Sequence, residues 1–600
     1  MYEHRQFCQL IGKEMIVQEE ELDIFYTDNT AKHEWFPTVQ LKPYNQLRQV
    51  ILDIETTGLD ATKARIIAIG CLRESLDVQI FMHLDEARLL QEFLAYLEAI
   101  NPEVLLTYNG MAFDLPFIIT RLNLLNIKHH FHLSTSSRQI PSAQTFGTPI
   151  KVNEISYKNS NHVDVYICVL RWDFITKFLT PSYSLKNVVL EMGLRKERRL
   201  TLSYNQIQEC WQQGEGSQGW LTIQQYLQFD LEDTKLIAEQ LVPSYWYESL
   251  IVPGMNLQQL ALAGNATKWQ RVLQSFYPDV KPKADSKVKF TGGLVISVPG
   301  LYHNIAKIDV SSLYPSIMLK YGICSQKDNK RVALDILDYL TKERLKLKAK
   351  GKLGDMVAKQ AESALKVLIN SLFGFYGTGG VGFNDMAAAA LVTAYGRRIL
   401  QHIISVLKSV DAIQIESDTD GVFFSHPTPQ LVWQTVSDAM PSGINIELET
   451  TALAMFVPSK GAKNYILWHH DGSITKKGIW KKRDRSRLEK EFPVNYLTHF
   501  IESETAAEAY YQQLEKVILS GQLPLEEIQI TRKIRANEKV LLALGKPGDV
   551  VTFYQGMNGV TATGEYSVNY YLNLIAKKRD EIRTVLDADK GRNYTQLSLF

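Results

Sequence analysis

Two pairs of acidic residues, each with a spacing of two, are the first groups in this sequence that could carry out chemistry. Asp53 and Glu55 lie in "LDIETTG", and Asp418 and Asp420 lie in "IQIESDTDGVFF". Asp53 and Glu55 are two apart on a predicted strand, so they point to the same face and repel one another unless a cation lies between them. Carboxylate oxygens are ligands that Mg²⁺ and Mn²⁺ prefer. An exposed strand end explains the pair equally well, so the spacing alone only suggests a divalent-metal site.

Two further acids extend the first pair. Asp114 is embedded in the apolar stretch "NGMAFDLPF", and Asp230 follows Tyr226 by four residues, which puts both on one helix face. Asp233 is a second candidate for the same role as Asp230, because an aromatic residue, Phe229, also precedes it by four residues. We prefer Asp230, since the aromatic residue on its helix face is then Tyr226, which has a usable hydroxyl group.

One further acid extends the second pair. Asp309 ends the apolar strand "IAKIDV" and is followed by "SSLYPS". The stretch from 413 to 424 has the pattern of a hairpin with Asp418 and Asp420 at its tip, and an adjacent strand would bring that tip to Asp309. A strand-end aspartate is often only a helix cap or a turn former, so its position alone does not make Asp309 a metal ligand.

The elements that position these groups alternate between strand-like and helix-like segments, which indicates α/β or α+β domains. Six hundred residues are too many for one core, so several domains are expected. The segment 226–243 has helical spacing and is predicted to end at its proline. The segment 340–374 predicts two helices joined by a glycine-containing turn, and 386–407 predicts a buried helix.

Overall charge does not indicate a polyanionic partner, because the net charge is only +1. Basic clusters at 281–289, 476–487, 531–535 and 577–583 together favour a groove that follows phosphates. The five cysteines form no CxxC pair, which argues against a disulfide framework or a zinc site and fits a reducing cytoplasm. We find no signal-peptide pattern and no apolar run long enough to cross a membrane.

The order of the motifs resembles family B DNA polymerases over roughly residues 50 to 490. D-x-E, N-x-x-x-F-D and Y-x-x-x-D are similar to the motifs of the family's 3′→5′ exonuclease domain. The resemblance implies that Asp53, Glu55, Asp114 and Asp230 hold two metal ions. It also implies that Tyr226 orients the attacking water and that Asn109 lines the path of the DNA strand.

The second half resembles the polymerase motifs of the same family. "DVSSLYPS" is similar to motif A, and the "DTD" at 418–420 is similar to the centre of the family's Y-x-D-T-D-S motif. The resemblance implies that Asp309 and Asp420 are direct ligands of two Mg²⁺ or Mn²⁺ ions, with Asp418 beside them. Three carboxylates around two metal ions are what nucleotidyl transfer requires. The resemblance also implies how the substrates are bound. The triphosphate would be cradled by Ser312, Leu313 and Tyr314, with Tyr314 under the sugar, and its phosphates would be bound by Arg344, Lys348, Lys366 and Asn370. The primer terminus would lie near Lys463 and Tyr465, and the link between the two active sites would contain Gly292 and Gly293 of "FTGG".

The same resemblance implies an α+β multidomain fold, with an RNase H-like exonuclease domain and a right-hand polymerase whose palm is built on an antiparallel sheet. The expected parts are a reduced N-terminal region at 1–49, the exonuclease domain at 50–245, the palm at 246–335 and 376–490, the fingers at 336–375, the thumb at 491–595 and a tail at 596–600. The short distance from Asp309 to Lys366 favours a nucleic-acid primer over a protein primer.

One motif departs from the family pattern. The family commonly has Y-x-D-T-D-S, whereas this chain has Glu416 and Gly421 at the outer positions. The three central residues are intact, so the chemistry should survive. Glu416 either adds negative charge near the metal site or points away from it.

The chain ends in "QLSLF", which resembles the motif by which bacterial proteins bind the sliding clamp. An extended peptide starting at Gln596 would bind in an apolar groove of the clamp, anchored by Leu597, Leu599 and Phe600. The motif suggests a bacterial host or a mobile element within one.

We therefore predict a monomeric DNA-templated DNA polymerase with proofreading, which acts on primer-template DNA and dNTPs in the cytoplasm, at the nucleoid. One rival hypothesis is a nuclease whose polymerase half only binds DNA, which the altered "ESDTDG" motivates. Another is a non-catalytic accessory factor bound to the clamp.

Overall fold

The computed structural model describes residues 43–73, 77–140, 150–176, 183–197, 199–249, 251–281, 291–481, 485–534, 537–546 and 549–590. The chain divides into two compact units. The first unit lies within 43–285 and 335–384, and the second lies within 286–334 and 385–590. Each unit is described separately below.

The first unit contains a five-stranded mixed sheet in the order β3-β2-β1-β4-β7. Strands β3, β2 and β1 pair antiparallel, and β1, β4 and β7 pair parallel. A separate antiparallel pair is formed by β5 and β6. The strands are β1 (Gln49–Thr56), β2 (Ile66–Arg73), β3 (Val78–Met82), β4 (Val104–Thr107), β5 (Phe131–Ile140), β6 (Ile150–Tyr157) and β7 (Asn161–Asp164).

Helices of the first unit pack apolar side chains against this sheet. The first eight are α1 (Glu86–Ile100), α2 (Asp114–Leu124), α3 (Val165–Thr176), α4 (Leu185–Glu191), α5 (Tyr204–Gln212), α6 (Gln218–Ser249), α7 (Leu257–Leu262) and α8 (Asn265–Gln274). Helix α6 does not end at Pro243, contrary to the sequence prediction. Val242 and Tyr247 are buried on either side of the proline, so tertiary packing keeps the backbone helical although proline lacks an N–H donor.

Two long helices complete the first unit. They are α10 (Val332–Lys352), which starts at the end of the second unit, and α11 (Met356–Tyr376). The turn between them has Gly354 at φ 96°, and the side chain of Asp355 caps the second helix by accepting the N–H of Ala358. The predicted helix pair is confirmed. Helix α11 packs against α6 and α8, and the Trp269 indole N–H of α8 donates to the Leu368 carbonyl at 3.0 Å.

The second unit is built on a seven-stranded sheet in the order β14-β13-β12-β9-β11-β10-β8, whose strands all pair antiparallel. The strands are β8 (Val295–Ser297), β9 (Gly300–Val310), β10 (Ile413–Asp418), β11 (Gly421–Ser425), β12 (Ile446–Val457), β13 (Ile466–Trp468) and β14 (Ile474–Lys476). Helices α9 (Leu313–Tyr321), α12 (Met386–Ser409) and α13 (Pro429–Asp438) accompany it.

The C-terminal part of the second unit is largely helical. It has a small antiparallel sheet of β15 (Ile530–Lys533), β16 (Val550–Gly556) and β17 (Gly559–Thr561). Its helices are α14 (Arg487–Glu502), α15 (Glu504–Leu519), α16 (Leu525–Ile528) and α17 (Val568–Lys590). A shared core, which includes Phe492, Tyr496 and Ile575, joins these helices to strands β12 and β13.

The observed elements confirm the predicted α+β multidomain class. Within the described residues, no helix has both the length and the apolar character needed to cross a membrane.

Two candidate active sites

The first candidate site lies at the sheet of the first unit. One carboxylate oxygen from each of Asp53, Glu55 and Asp230 lies within 4.8 Å of the others. The two-residue spacing on β1 puts Asp53 and Glu55 on one face, and α6 supplies Asp230. Asp114, the first residue of α2, is buried, and a hydrogen bond joins its carboxyl group to that of Asp53. The structure thus brings all four predicted acids together.

The electrostatics of this site favour a cation. Burial, followed by repulsion from the neighbouring acids, raises the pKa of Asp53 well above its usual value and that of Glu55 to about 8. Burial also raises the pKa of Asp114 to about 7. A divalent cation among these oxygens would offset the repulsion, and an all-oxygen donor set suits Mg²⁺ or Mn²⁺. The residues present therefore fit a metal site.

Tyr226 faces this site from α6. Its hydroxyl group donates a hydrogen bond to Asp230, as their four-residue spacing predicts. The Lys186 ammonium lies 2.5 Å from the Tyr226 hydroxyl oxygen and 4.3 Å from the ring centroid. Sequence analysis missed Lys186; the only local signal is a single lysine at the start of the otherwise uncharged run "LKNVVL".

Asp233, the rival metal ligand, has different partners. Its carboxylate is fully buried and is paired with two arginines, Arg195 and Arg199. The distance from Arg199 Nε to Asp233 Oδ2 is 2.7 Å. Arg199 is also paired with Asp230. Asp233 is not part of the oxygen cluster. The arginines come from the charged segment "RKERR", which did not stand out in the sequence.

The loop that leads to Asp114 is organised by an acid that sequence analysis missed. Asp164, at the end of β7, is buried and accepts the backbone N–H groups of Asn109 at 2.7 Å, Met111 at 2.9 Å and Tyr166 at 3.1 Å. Burial raises the pKa of Asp164 to about 6, and these three hydrogen bonds oppose that rise. Asn109 adopts a left-handed φ of 68°. The conformation of the Asn109 loop therefore depends on Asp164.

The second candidate site lies at the centre of the seven-stranded sheet. Asp309 on β9 is opposite Gly421 of β11 on one side and Glu447 of β12 on the other. The hairpin tip is a tight turn with Thr419 at φ 61°, and the Asp420 carbonyl accepts the Val310 N–H at 2.8 Å. The predicted hairpin is present, and it lies beside Asp309. Among the described residues, however, only the first site has three ligand oxygens mutually within 4.8 Å.

Two lysines neutralise part of this acidic cluster. Lys307 Nζ lies 3.2 Å from Asp309 Oδ1 and is also paired with Glu449, and Lys463 Nζ lies 2.6 Å from Asp418 Oδ1. Burial, followed by repulsion from Asp309, raises the pKa of Asp420 to about 6. The donor set is again all oxygen, which fits Mg²⁺ or Mn²⁺. Lys307 was missed, although a lysine inside the apolar strand "IAKIDV" was the available signal.

Glu416, the first departure from the family pattern, is tied to the K-x-Y segment. It is buried, and its Oε1 accepts the backbone N–H of Lys463 at 2.8 Å. Lys463 has a left-handed φ of 66°. Burial is the main cause that raises the pKa of Glu416 to about 7, and the charge of Asp418 adds to it. The Glu416 carboxyl group therefore lies near the acidic cluster and does not point away from it.

Gly421, the second departure, makes room for Asp309 and Lys307. A Cβ atom at position 421 would lie 2.8 Å from Asp309 Oδ1 and 2.8 Å from Lys307 Cε. Both distances are shorter than real Cβ contacts. A side chain at this position would therefore displace the two groups.

Replacing Gly421 with alanine is expected to lower the rate of primer extension by about 10²-fold, because a misplacement of a reacting group by about 1 Å has an effect of that size. The rate is measured by single-turnover extension at saturating dNTP. Gly264→Ala is the matched control, since no atom lies within 4 Å of a Cβ there. Extension by the Gly421 variant at the parent rate would show that Asp309 tolerates the displacement.

The loop after Asp309 packs against the predicted glycine pair. Ser312 has a left-handed φ of 51° and precedes α9, whose first residues are Leu313 and Tyr314. A Cβ atom on Gly293 would lie 3.1 Å from the Tyr314 hydroxyl oxygen. The Arg397 guanidinium donates to the Gly292 carbonyl at 2.7 Å. Arg397 was not predicted; Phe290 of the same motif lies outside the described residues.

The predicted phosphate-binding residues lie on the two long helices of the first unit. Arg344 Nε donates to Glu362 Oε1 at 2.8 Å, so this guanidinium is paired with a carboxylate of the next helix. Lys366 and Asn370 are exposed on one face of α11, and Lys348 is partly buried on α10. In the second unit, the Tyr465 ring packs edge-on against Phe423 with centroids 5.1 Å apart. The tail at 596–600 lies outside the described residues.

An acidic cluster on a mixed sheet and a second group of acids on an antiparallel sheet are typical of a nucleotidyltransferase with a separate nuclease domain. Two models of one family match the chain. The model for the exonuclease domain of DNA polymerase family B matches residues 71–188, and the model for DNA polymerase family B matches residues 335–540. The chain belongs to the family B DNA polymerases: it is a DNA-directed DNA polymerase with a 3′→5′ exonuclease domain.

Similar proteins extend over most of the chain. A DNA polymerase of Thermococcus sp. (strain 9oN-7) is 25% identical over 538 residues, which cover 78% of this chain and 66% of that protein. A DNA polymerase of Pyrococcus glycovorans is 24% identical and is matched over 89% of this chain and 75% of its own length. The structure of the family B DNA polymerase from the hyperthermophilic archaeon Pyrobaculum calidifontis has a TM-score of 0.60 at 20% identity, over 90% of this chain and 78% of that one. At this identity, the structural likeness concerns the fold.

Proposed function

We propose that the chain extends a DNA primer at the second site, with Asp309 and Asp420 as the direct ligands of two divalent metal ions and Asp418 beside them. The register of the β10–β11 hairpin against β9 is the observation that carries this proposal. When bound, the metal ions would lower the pKa of the primer 3′-hydroxyl and neutralise charge on the triphosphate. Lys307 and Lys463 hold Asp309 and Asp418 by ion pairs and so orient them.

The incoming dNTP would be bound by backbone and cationic groups. The N-terminus of α9, which begins after Ser312 and has Leu313 in its first turn, carries the positive end of the helix dipole and would attract phosphate oxygens. Tyr314 would pack under the sugar and exclude a 2′-hydroxyl. Lys366, Asn370 and Lys348 would contact the phosphates from the fingers, together with Arg344 once it is released from Glu362.

The first site would remove misincorporated nucleotides. Asp53, Glu55, Asp114 and Asp230 would hold two metal ions there, in support of in-line attack by water. Tyr226, whose hydroxyl already donates to Asp230, would orient that water. Asn109, in the loop fixed by Asp164, would line the path of the DNA strand.

The rival hypothesis, an exonuclease with an impaired polymerase half, is not favoured. Its motivation was the altered "ESDTDG", but Glu416 and Gly421 both have structural roles beside an intact D-T-D. Primer extension with dNTPs and Mg²⁺ on an undamaged template tests the proposal. A polymerase lengthens the primer, a nuclease only shortens it, and an accessory factor changes nothing.

The predicted domain boundaries stay part of the proposal, with the palm at 246–335 and 376–490, the fingers at 336–375 and the thumb at 491–595. We also propose a monomer that binds primer-template DNA through Lys463, Tyr465, Gly292 and Gly293. A bacterial host, or a mobile element within one, is proposed on the "QLSLF" segment alone, and action at the nucleoid would follow from a DNA substrate in such a cell.

Deleting residues 596–600 is expected to leave basal extension unchanged and to remove its stimulation by a bacterial sliding clamp, because the tail would tether the enzyme to the clamp and raise its local concentration at the primer end. Product lengths on a primed circular template are compared with and without loaded clamp. A tail with Leu597, Leu599 and Phe600 replaced by alanine keeps the chain length and should behave like the deletion. Stimulation that persists in both variants would show that the clamp does not bind through this motif.

A further inference from the structure

Asp233 is buried at the exonuclease site, yet the proposed function gives it no role. Its two carboxylate oxygens are divided between two arginines: Oδ1 is paired with Arg195 and Oδ2 with Arg199. Asp233 is fully buried, whereas Arg195 is partly exposed and also binds Glu232 at 2.8 Å. Asp233 is therefore a fixed anchor for Arg199.

Arg199 connects this anchor to the proposed metal ligand. Its guanidinium contacts Asp233 through Nε, Asp230 through Nη2 and the Leu200 carbonyl through Nη1 at 3.1 Å. Its side chain is only 6% exposed. The planar group also lies over the rings of Tyr226 at 5.6 Å and Phe229 at 5.7 Å. With every edge in contact, the guanidinium has one orientation.

We propose that Arg199, anchored by Asp233, is a positioning residue of the exonuclease site. It holds Oδ1 of Asp230 and leaves the other carboxylate oxygen to a metal ion. Partners that orient a metal ligand change metal affinity or activity by about 10- to 100-fold when removed. A lysine cannot replace this group, because its compact ammonium cannot span two carboxylates as a planar fork does. This inference rests on the proposed exonuclease function of Asp53, Glu55 and Asp230.

Mn²⁺ binding to the full chain tests the proposal without reliance on activity. Asp420→Asn is used as the background in every protein, so that binding reports on the exonuclease site. Free Mn²⁺ is measured by electron paramagnetic resonance during titration. Arg199→Gln is expected to weaken Mn²⁺ binding by about tenfold. Arg195→Gln is the matched control, because it also removes one arginine from Asp233 but leaves the Asp230 contact in place; it should stay within about twofold of the parent.

Two further variants separate orientation from charge and from folding. Arg199→Lys keeps the charge and should bind Mn²⁺ as weakly as Arg199→Gln. The double variant Arg199→Gln/Asp233→Asn removes both members of the buried pair and should be no weaker than Arg199→Gln, since the two residues act in series. Thermal melting of each protein checks that it is folded.

The outcomes distinguish this inference from the proposed function. A parent protein that neither binds Mn²⁺ nor degrades single-stranded DNA would overturn the exonuclease assignment, and this inference with it. A parent that does both, with Arg199→Gln binding Mn²⁺ equally or more tightly, would overturn the inference alone and make Arg199 a competitor of the metal. Mn²⁺ binding by Arg199→Lys at the parent affinity would also overturn the inference, because it would show that the planar guanidinium is not required.

Discussion

Replacing Asp420 with alanine is expected to reduce primer extension by at least about 10³-fold and to leave 3′→5′ degradation unchanged. Metal ions contribute several kcal/mol of transition-state stabilisation, and each 1.4 kcal/mol corresponds to about tenfold in rate. Asp420 lies at the tip of the β10–β11 hairpin, and its carbonyl also closes the tip onto Val310. The carbonyl is retained in alanine, so the variant removes the carboxylate and keeps the turn.

Single-turnover extension by the Asp420 variant is measured on a primer-template whose primer end is protected from degradation. Degradation of an unprotected single strand by the same sample shows that the protein is folded. Asp438→Ala is the matched control, since Asp438 is an exposed acid at the end of α13 in the same unit. Extension by the Asp420 variant within tenfold of the parent rate would contradict its role as a direct ligand.

Asp114→Ala is expected to have the opposite effect, with degradation reduced by at least about 10³-fold and extension retained. The side chain is buried among like charges, and burial raises its pKa to about 7. Its removal relieves the repulsion that raises the pKa of Asp53, but it also removes the hydrogen bond between the two carboxyl groups. Thermal melting of the variant is therefore measured, and a melting temperature equal to that of the parent shows that a loss of degradation reports on chemistry and not on unfolding.

Gel assays of 3′-end shortening, in the absence of dNTPs, measure the Asp114 variant. Asp77→Ala serves as its control, because Asp77 is an acid of the same unit with 61% of its side chain exposed. Undiminished shortening would remove Asp114 from the proposed ligand set. A parallel loss of extension would mean that the substitution damages more than the exonuclease site.

Local patterns were sufficient to predict which neighbouring acids share a face, whereas the grouping of distant acids such as Asp114 and Asp309 rested on the family resemblance. Two-residue spacing on β1 fixes the shared face of Asp53 and Glu55, and four-residue spacing on α6 fixes that of Tyr226 and Asp230. The hairpin around Asp418 and Asp420 is likewise set by a short apolar pattern with a turn. These regularities operate within a few residues and need no knowledge of the rest of the chain.

The groups that hold the acids could not be predicted in this way. Arg199 pairs with Asp230 across a separation of 31 residues. Lys307 is an exception, because it lies two residues from Asp309 on the same strand. Asp164 reaches Asn109 across 55 residues only because β4 and β7 are neighbours in the sheet. Contacts of this kind depend on tertiary packing. Packing also carries α6 past Pro243, against the local preference of proline.

Glu416 and Gly421 also depend on contacts that the sequence does not reveal. Each was visible in the sequence as a departure from a family motif, but its structural role was not. The explanation of Glu416 is a backbone N–H 47 residues away, and that of Gly421 is the space taken by Lys307 and Asp309. A departure within a motif is therefore informative about its neighbours in space.

The packing of α11 against α6 and α8 within the first unit bears on how the two activities can be separated in the laboratory. Trp269 donates to the Leu368 carbonyl, and Tyr247 packs against Ala361 and Ala364. A fragment that stops at residue 285 would leave these side chains without their cover and is expected to aggregate. Such a fragment needs 335–384 joined to it by a linker, and a polymerase without proofreading is better made by a point substitution in the intact chain.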